Sequence, residues 1–144
     1  MKALTEIRYG IGISPIDTTG ATTNGTAFDT RTNGGAGFAV CIVQTGNVEA
    51  NVTTLKLQQS DNNSDWVDIT DGGFSLPAAT GGDNTIRAAW VPLGGTRRRY
   101  LRVTVTGGSG ATLISAVWLA GPISITPNSA TESGLTELVT AITN

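Results

Sequence analysis

Asp61, Asp65, Asp68 and Asp71 are the densest set of side chains in this sequence that could do chemistry. Two carboxylates at one site can divide general acid and base duties, and several together can hold a hard cation. Asp61, Asn63 and Asp65 stand at the spacing that opens a calcium loop. Such a loop then requires Gly where this chain has Trp66, and Glu where it has Gly72. Ser60, Asn62 and Ser64 are interleaved with the acids, and their short side chains bond nearby backbone and favour turns. The run therefore reads as a polar turn, and no metal or other cofactor is expected.

Other reactive constellations fail on composition. The chain has no histidine, which removes Ser–His and Cys–His nucleophile systems along with the commonest metal ligand. The single cysteine, Cys41, lies in an apolar run without a basic neighbour, so it reads as a small hydrophobe and not as a reactive thiol. Gly94-Gly95-Thr96 before Arg97 lacks the spacing of a phosphate-binding loop, and a strand follows where a helix is required. No enzymatic activity is expected.

Binding is what remains. Arg87, Arg97, Arg98, Arg99 and Arg102 hold five of the nine basic residues and gather positive charge toward one end or edge. They suit either the blunting of a sheet edge or contact with an acidic patch on a protein partner. Nucleic acid is not an expected partner: the net charge is −2, and only Tyr100 supplies an aromatic ring beside the arginines. Trp66, Trp90 and Trp118 are expected to pack in a core, with sugar stacking as the alternative use.

The elements that must carry these residues are strands. At 144 residues the chain suits one domain. Charged residues make up 14%, Gly is abundant at 19, and Thr is about one residue in six. That composition describes a β protein with neutral surfaces. Val52–Gln59, where Leu55 and Leu57 alternate with Lys56 and Gln58, and Trp66–Ile69 flank the polar turn and read as a hairpin, with Leu55, Leu57, Val67 and Ile69 facing inward. Arg99–Thr106 alternates too, placing Leu101, Val103 and Val105 inside. Gly37–Gln44 and Ala111–Ala120 are apolar on both parities, which predicts central strands covered on both sides. Gly121-Pro122 is expected to break the second of these.

With Thr5–Tyr9, Thr26–Thr30 and Thr85–Pro92, the pattern predicts an all-β, single-domain jelly roll or β-sandwich of about eight strands over residues 1–128. Gly10–Asn24 reads as an irregular N-terminal arm. Phe74 and Leu76 are expected to plug one end. Residues 129–144 form an amphipathic tail or short helix: Ser129 and Glu132 match a capping box, and Leu135, Leu138, Val139 and Ile142 repeat at helical spacing. That stripe must dock on its own sandwich or on a neighbour. The N-terminus lacks the apolar core of a signal peptide, and no run is long enough to span a membrane.

Three stretches taken in order resemble the capsid cement, or head decoration, proteins of tailed bacteriophages. They are LKLQQSDNNSDWVDIT (Leu55–Thr70), RRYLRVTVTGG (Arg98–Gly108) and AVWLAGPISITP (Ala116–Pro127), which lie within a span of about half the chain. In that group a strand ends in a Gln-x-Ser-Asp turn and a Trp or Phe opens the return. A Tyr-Leu-Arg strand then precedes a last hydrophobic strand that exits through Gly-Pro or Asp-Pro. The resemblance implies a structural virion protein, made in the host cytoplasm and carried on the outer capsid surface. Its implied partners are the major capsid protein and itself, as a homodimer or homotrimer. The arginines named above, with Leu135, Leu138, Val139 and Ile142, are the candidate partner-binding residues. A carbohydrate-binding module and a phage tail or fibre subunit are the alternatives.

Overall fold

A computed structural model describes residues 6–95 and 97–123. Nine strands follow one another: β1 (Arg8–Asp17), β2 (Thr22–Asn24), β3 (Phe28–Asp29), β4 (Ala36–Val48), β5 (Thr54–Ser60), β6 (Val67–Gly73), β7 (Ile86–Pro92), β8 (Tyr100–Thr106) and β9 (Thr112–Ile123). They form two antiparallel sheets. Sheet I has the order β1-β9-β4-β7, and sheet II the order β2-β8-β5-β6, with β3 also pairing β8. Because β2 and β3 share one edge of β8, each sheet has four strand positions, in the two-sheet arrangement of a jelly roll.

The core lies where the inward parities meet. Ala39, Cys41 and Val43 from β4 and Ile114, Ala116, Trp118 and Ala120 from β9 face Leu55, Leu57, Leu101, Val103 and Val105 of sheet II, and all are buried. Each fully buried Leu or Val contributes about 1.5–3 kcal/mol of transfer free energy. Phe28 reaches across from sheet II to stack on Trp118, with ring centroids 5.7 Å apart. Gly10 makes room for it, since a Cβ there would come within 2.5 Å of the Phe28 ring. The sheets are closed at one end by backbone contact: a Cβ on Gly107 would lie 2.0 Å from the Thr18 carbonyl oxygen.

The structure revises several expectations. Gly10–Asn24 is no arm. Most of it is β1 and β2, and the weak period of the sequence follows from register shifts in β1 after Ile11 and Ile13. β9 does not end at Gly121-Pro122 but pairs with β4 as far as Ile123. Its ladder with β1 reaches only Ala120, so among the described residues Pro122 stands on an edge, where a missing N–H is tolerated. Val67 is 40% exposed: it opens β6 at the end of the sheet, opposite Gln59, and only Ile69 turns fully inward. Phe74 packs against the core, whereas Leu76 is exposed. The tail expectation for residues 129–144, with Leu135, Leu138, Val139 and Ile142, lies outside the described residues.

Candidate interaction surface

The acidic run resolves into separate duties. Asn62, not an aspartate, organises the β5–β6 turn: its Oδ1 accepts from the Ser64 and Asp65 amides at 2.9 and 2.8 Å. Its Nδ2 donates to Asp65 at 2.6 Å. Asp61 lies 3.5 Å from the Arg98 guanidinium. Asp68 turns onto the outer face of sheet II and receives Lys56 Nζ at 2.6 Å and Gln58 Nε2 at 2.8 Å. The Lys56 bond, then the Gln58 bond, hold the Asp68 carboxyl below its ordinary value. Among the described residues, no three His, Cys, Asp or Glu side chains gather at one place. Cys41 is fully buried in sheet I, and desolvation pushes its thiol up to about 12.

The outer face of sheet II is a connected polar lattice. Gln58 Oε1 accepts from Arg102 Nε at 2.8 Å. Thr104 Oγ1 lies 3.1 Å from that same oxygen and 3.0 Å from Asn24 Oδ1, and donates to one of them. Thr22 and Thr106 pair their hydroxyls at 2.8 Å. The Arg102 guanidinium sits 4.3 Å above the Trp66 ring centroid, a cation–π stack that covers one indole face.

The other arginines are also engaged within the chain. Arg99 forks onto Asp29, at 3.0 and 2.7 Å, tying the β7–β8 connection to β3. Arg97 Nη1 and the Arg98 amide both donate to Gln59 Oε1 at 3.2 Å. Arg87 lies on β7 of sheet I, donating to the Ser75 carbonyl at 2.8 Å and to the Thr85 hydroxyl. The structure thus brings Arg97, Arg98 and Arg99 together at one end of the sandwich, sets Arg102 on the outer face of sheet II, and leaves Arg87 on the opposite sheet. Only the first three form a cluster.

Sheet I presents the contrary surface, which the sequence reading missed. On the outward parity of β4, Val40 lies in register with Trp90 on one side and Leu119 on the other, and Leu119 with Tyr9. The next row is Ile11, Val117, Ile42 and Ala88. Phe38 and Trp90 stack at one end with centroids 4.2 Å apart. Ile86 is 70% exposed, Trp90 64% and Ile11 60%. The sequence signal was present: β4 and β9 are apolar on both parities. Such a pattern predicts two covered faces, and the described residues cover one. Trp90 correspondingly stands outside the core and Trp66 lies half-buried beneath Arg102, so only Trp118 meets the expectation for the three tryptophans.

A shallow depression of ≈ 510 Å³ adjoins this face, between Ile16, Gln44 and Leu113. The one ionisable side chain lining it is Asp17, which is occupied by the Thr112 amide at 3.0 Å and the Thr19 hydroxyl at 2.7 Å. It offers no convergent reactive groups.

No protein family matches the sequence, and no curated protein matches it. Two solved structures are similar to this chain. The PBSX exported protein XepA superimposes with a TM-score of 0.54 at 18% identity, over 94% of this chain and 43% of its own. This chain thus spans less than half of that protein, and at this identity the likeness is one of fold. A structure described as Bacillus endospore appendages, a family of disulfide-linked pili, superimposes with a TM-score of 0.47 at 12% identity, over 82% of this chain and 89% of its own.

Proposed function

We propose that this chain is a structural virion protein, a capsid cement that sits on the outside of an icosahedral phage head and bridges major capsid subunits. The observation that carries the reading is the apolar outer face of sheet I, which the described residues leave uncovered, on a β-sandwich whose other sheet carries an internally bonded polar face. Such a molecule is built to be one part of an assembly. The motifs that resemble cement proteins fall on neighbouring elements. The Gln58-Gln59-Ser60-Asp61 turn and the Tyr100-Leu101-Arg102 strand lie on paired strands, β5 and β8, where Gln58 holds Arg102 and Gln59 holds Arg97. The XepA fold belongs to an exported protein, and the reading likewise places this chain on an outer surface. Arg97 and Arg98, half-exposed at one end, are the side chains offered to an acidic patch on the shell.

Co-sedimentation with undecorated procapsids and with expanded capsids tests the reading. Saturable binding to one capsid state is expected, and an Arg97→Glu, Arg98→Glu double variant should weaken it at least tenfold. No binding to any matching capsid state overturns it.

A second reading draws on Trp90, whose exposed indole is held flat against Phe38 as a sugar-stacking platform would be. A glycan array signal lost in Trp90→Ala supports that reading, and one indifferent to the variant removes it.

A further inference from the structure

We propose that the outer face of sheet I is a self-association surface, through which two copies of this chain pair face to face about a two-fold axis. This goes beyond capsid binding and does not depend on it.

The first argument is charge. From Phe38 to Gln44, the outward positions of β4 and their register partners on β1, β7 and β9 hold no ionisable group but the phenol of Tyr9. In a two-fold interface residue i meets residue j of the copy and j meets i, so a charge at the axis meets its own kind and any other must find an opposite charge or be buried unpaired. Sheet II, with Lys56, Asp68 and Arg102 outward, would have to take those charges out of water and give up its internal hydrogen bonds. Sheet I faces its own copy at no electrostatic cost.

The second argument is area. Four strands about 4.8 Å apart and seven residues at about 3.3 Å give a face of roughly 19 by 23 Å, or about 430 Å² in projection. Two copies therefore remove roughly 900 Å² from water before the relief of the side chains is counted. That is short of the roughly 1,200 Å² of stable interfaces and falls among the weak, reversible ones. Phe38 and Trp90, already stacked, supply a rigid aromatic anchor of the kind that dominates interface energetics. Sheets packed this way lie about 10 Å apart with interdigitating side chains. Ala88 leaves a notch between the exposed knobs Ile86 and Trp90 for a facing side chain to enter.

Sedimentation velocity on the full chain from 1 to 200 µM decides the matter. The expected result is a reversible equilibrium between 14.8 kDa and a species of twice that mass. Ile11→Lys and Trp90→Lys, on opposite edge strands and both exposed, should each raise the dissociation constant at least tenfold. Their circular dichroism should match the parent's, because neither side chain is in the core. Lys56→Glu on sheet II should leave the equilibrium unchanged. A strict monomer at 200 µM overturns the proposal, as does a trimer, or a dimer indifferent to both lysine variants. If the chain's own residues 124–144 cover the face instead, the parent is monomeric and Leu138→Glu raises the binding of a hydrophobic dye, which also overturns it. Capsid co-sedimentation of the lysine variants is read separately, so loss of pairing and loss of capsid binding remain distinct results.

Discussion

Lys56, Gln58 and Arg102 on one sheet, and Val40, Ile42 and Trp90 on the other, occupy equivalent places. They are outward side chains on neighbouring strands of a four-position antiparallel ladder. The first set is complete within the chain: its donors and acceptors meet one another at 2.6–2.8 Å through Asp68 and Gln58. The second set cannot be completed that way. Apolar groups gain nothing from neighbours that leave them wet, and only removal from water stabilises them, at about 25 cal/mol per Å². A polar outer face therefore belongs to the fold, while an apolar one points beyond it.

That contrast breaks first at tryptophan. Trp118 and Trp90 lie on neighbouring levels of sheet I, one pointing inward and fully buried, the other outward. Trp118→Ala should cost about 3–5 kcal/mol, because it empties the site against Phe28. Trp90→Ala should cost less than about 1 kcal/mol when urea unfolding is followed at a dilution that keeps the chain monomeric. Equal costs for the two would mean that the outer face is packed after all, and the contrast would fall.

The lattice on sheet II should give the next largest effect. Gln58→Ala removes the partner of Asp68, Arg102 and Thr104 together and should cost about 1–3 kcal/mol. Ile42→Thr, at the matching place on sheet I, should cost less. A double-mutant cycle of Gln58→Ala with Asp68→Ala should show a coupling of about 0.5 kcal/mol or more. Strict additivity would mean that the lattice is a set of independent surface contacts.

The sequence reading recovered the sheets better than their faces. Leu101, Val103 and Val105 announced their side by strict alternation, and all three are fully buried. β1 was missed because its register shifts scramble the period and its Gly, Ser and Pro residues mimic a loop. The apolar face was half legible. Two-sided apolar strands reveal that both faces want cover, but periodicity carries nothing about whether the cover comes from the same chain. The arginines were legible as a group and not as partners, since the Arg99–Asp29 pair joins residues 70 positions apart. The hairpin turn was placed correctly, but its organising residue was not: Asp61, Asn62 and Asp65 are alike in turn propensity, and only geometry singles out the amide of Asn62.

The smallest effect expected is also the one that separates the faces by chemistry alone. Arg99, donating to Asp29, holds that carboxyl below the ordinary aspartate value of about 3.9, and Lys56 does the same for Asp68. A carboxylate whose folded pKa is depressed stabilises the fold above its unfolded pKa, and that stability is lost as the pH falls through the folded value. Urea midpoints should therefore hold steady from pH 7 to pH 5 and decline below about pH 4. Both pairs are solvated, so each contributes little and weakens with salt. Asp29→Asn and Asp68→Asn should each lie below the parent at pH 7 and converge with it as the pH falls through the depressed folded values. Face-to-face pairing through sheet I involves no carboxylate or basic side chain, so its dissociation constant should be the same at pH 7 and pH 5 and should not rise with salt. A pairing that weakened with salt would place the contact on the arginine end instead, and the polar surface would then be the one that reaches a partner.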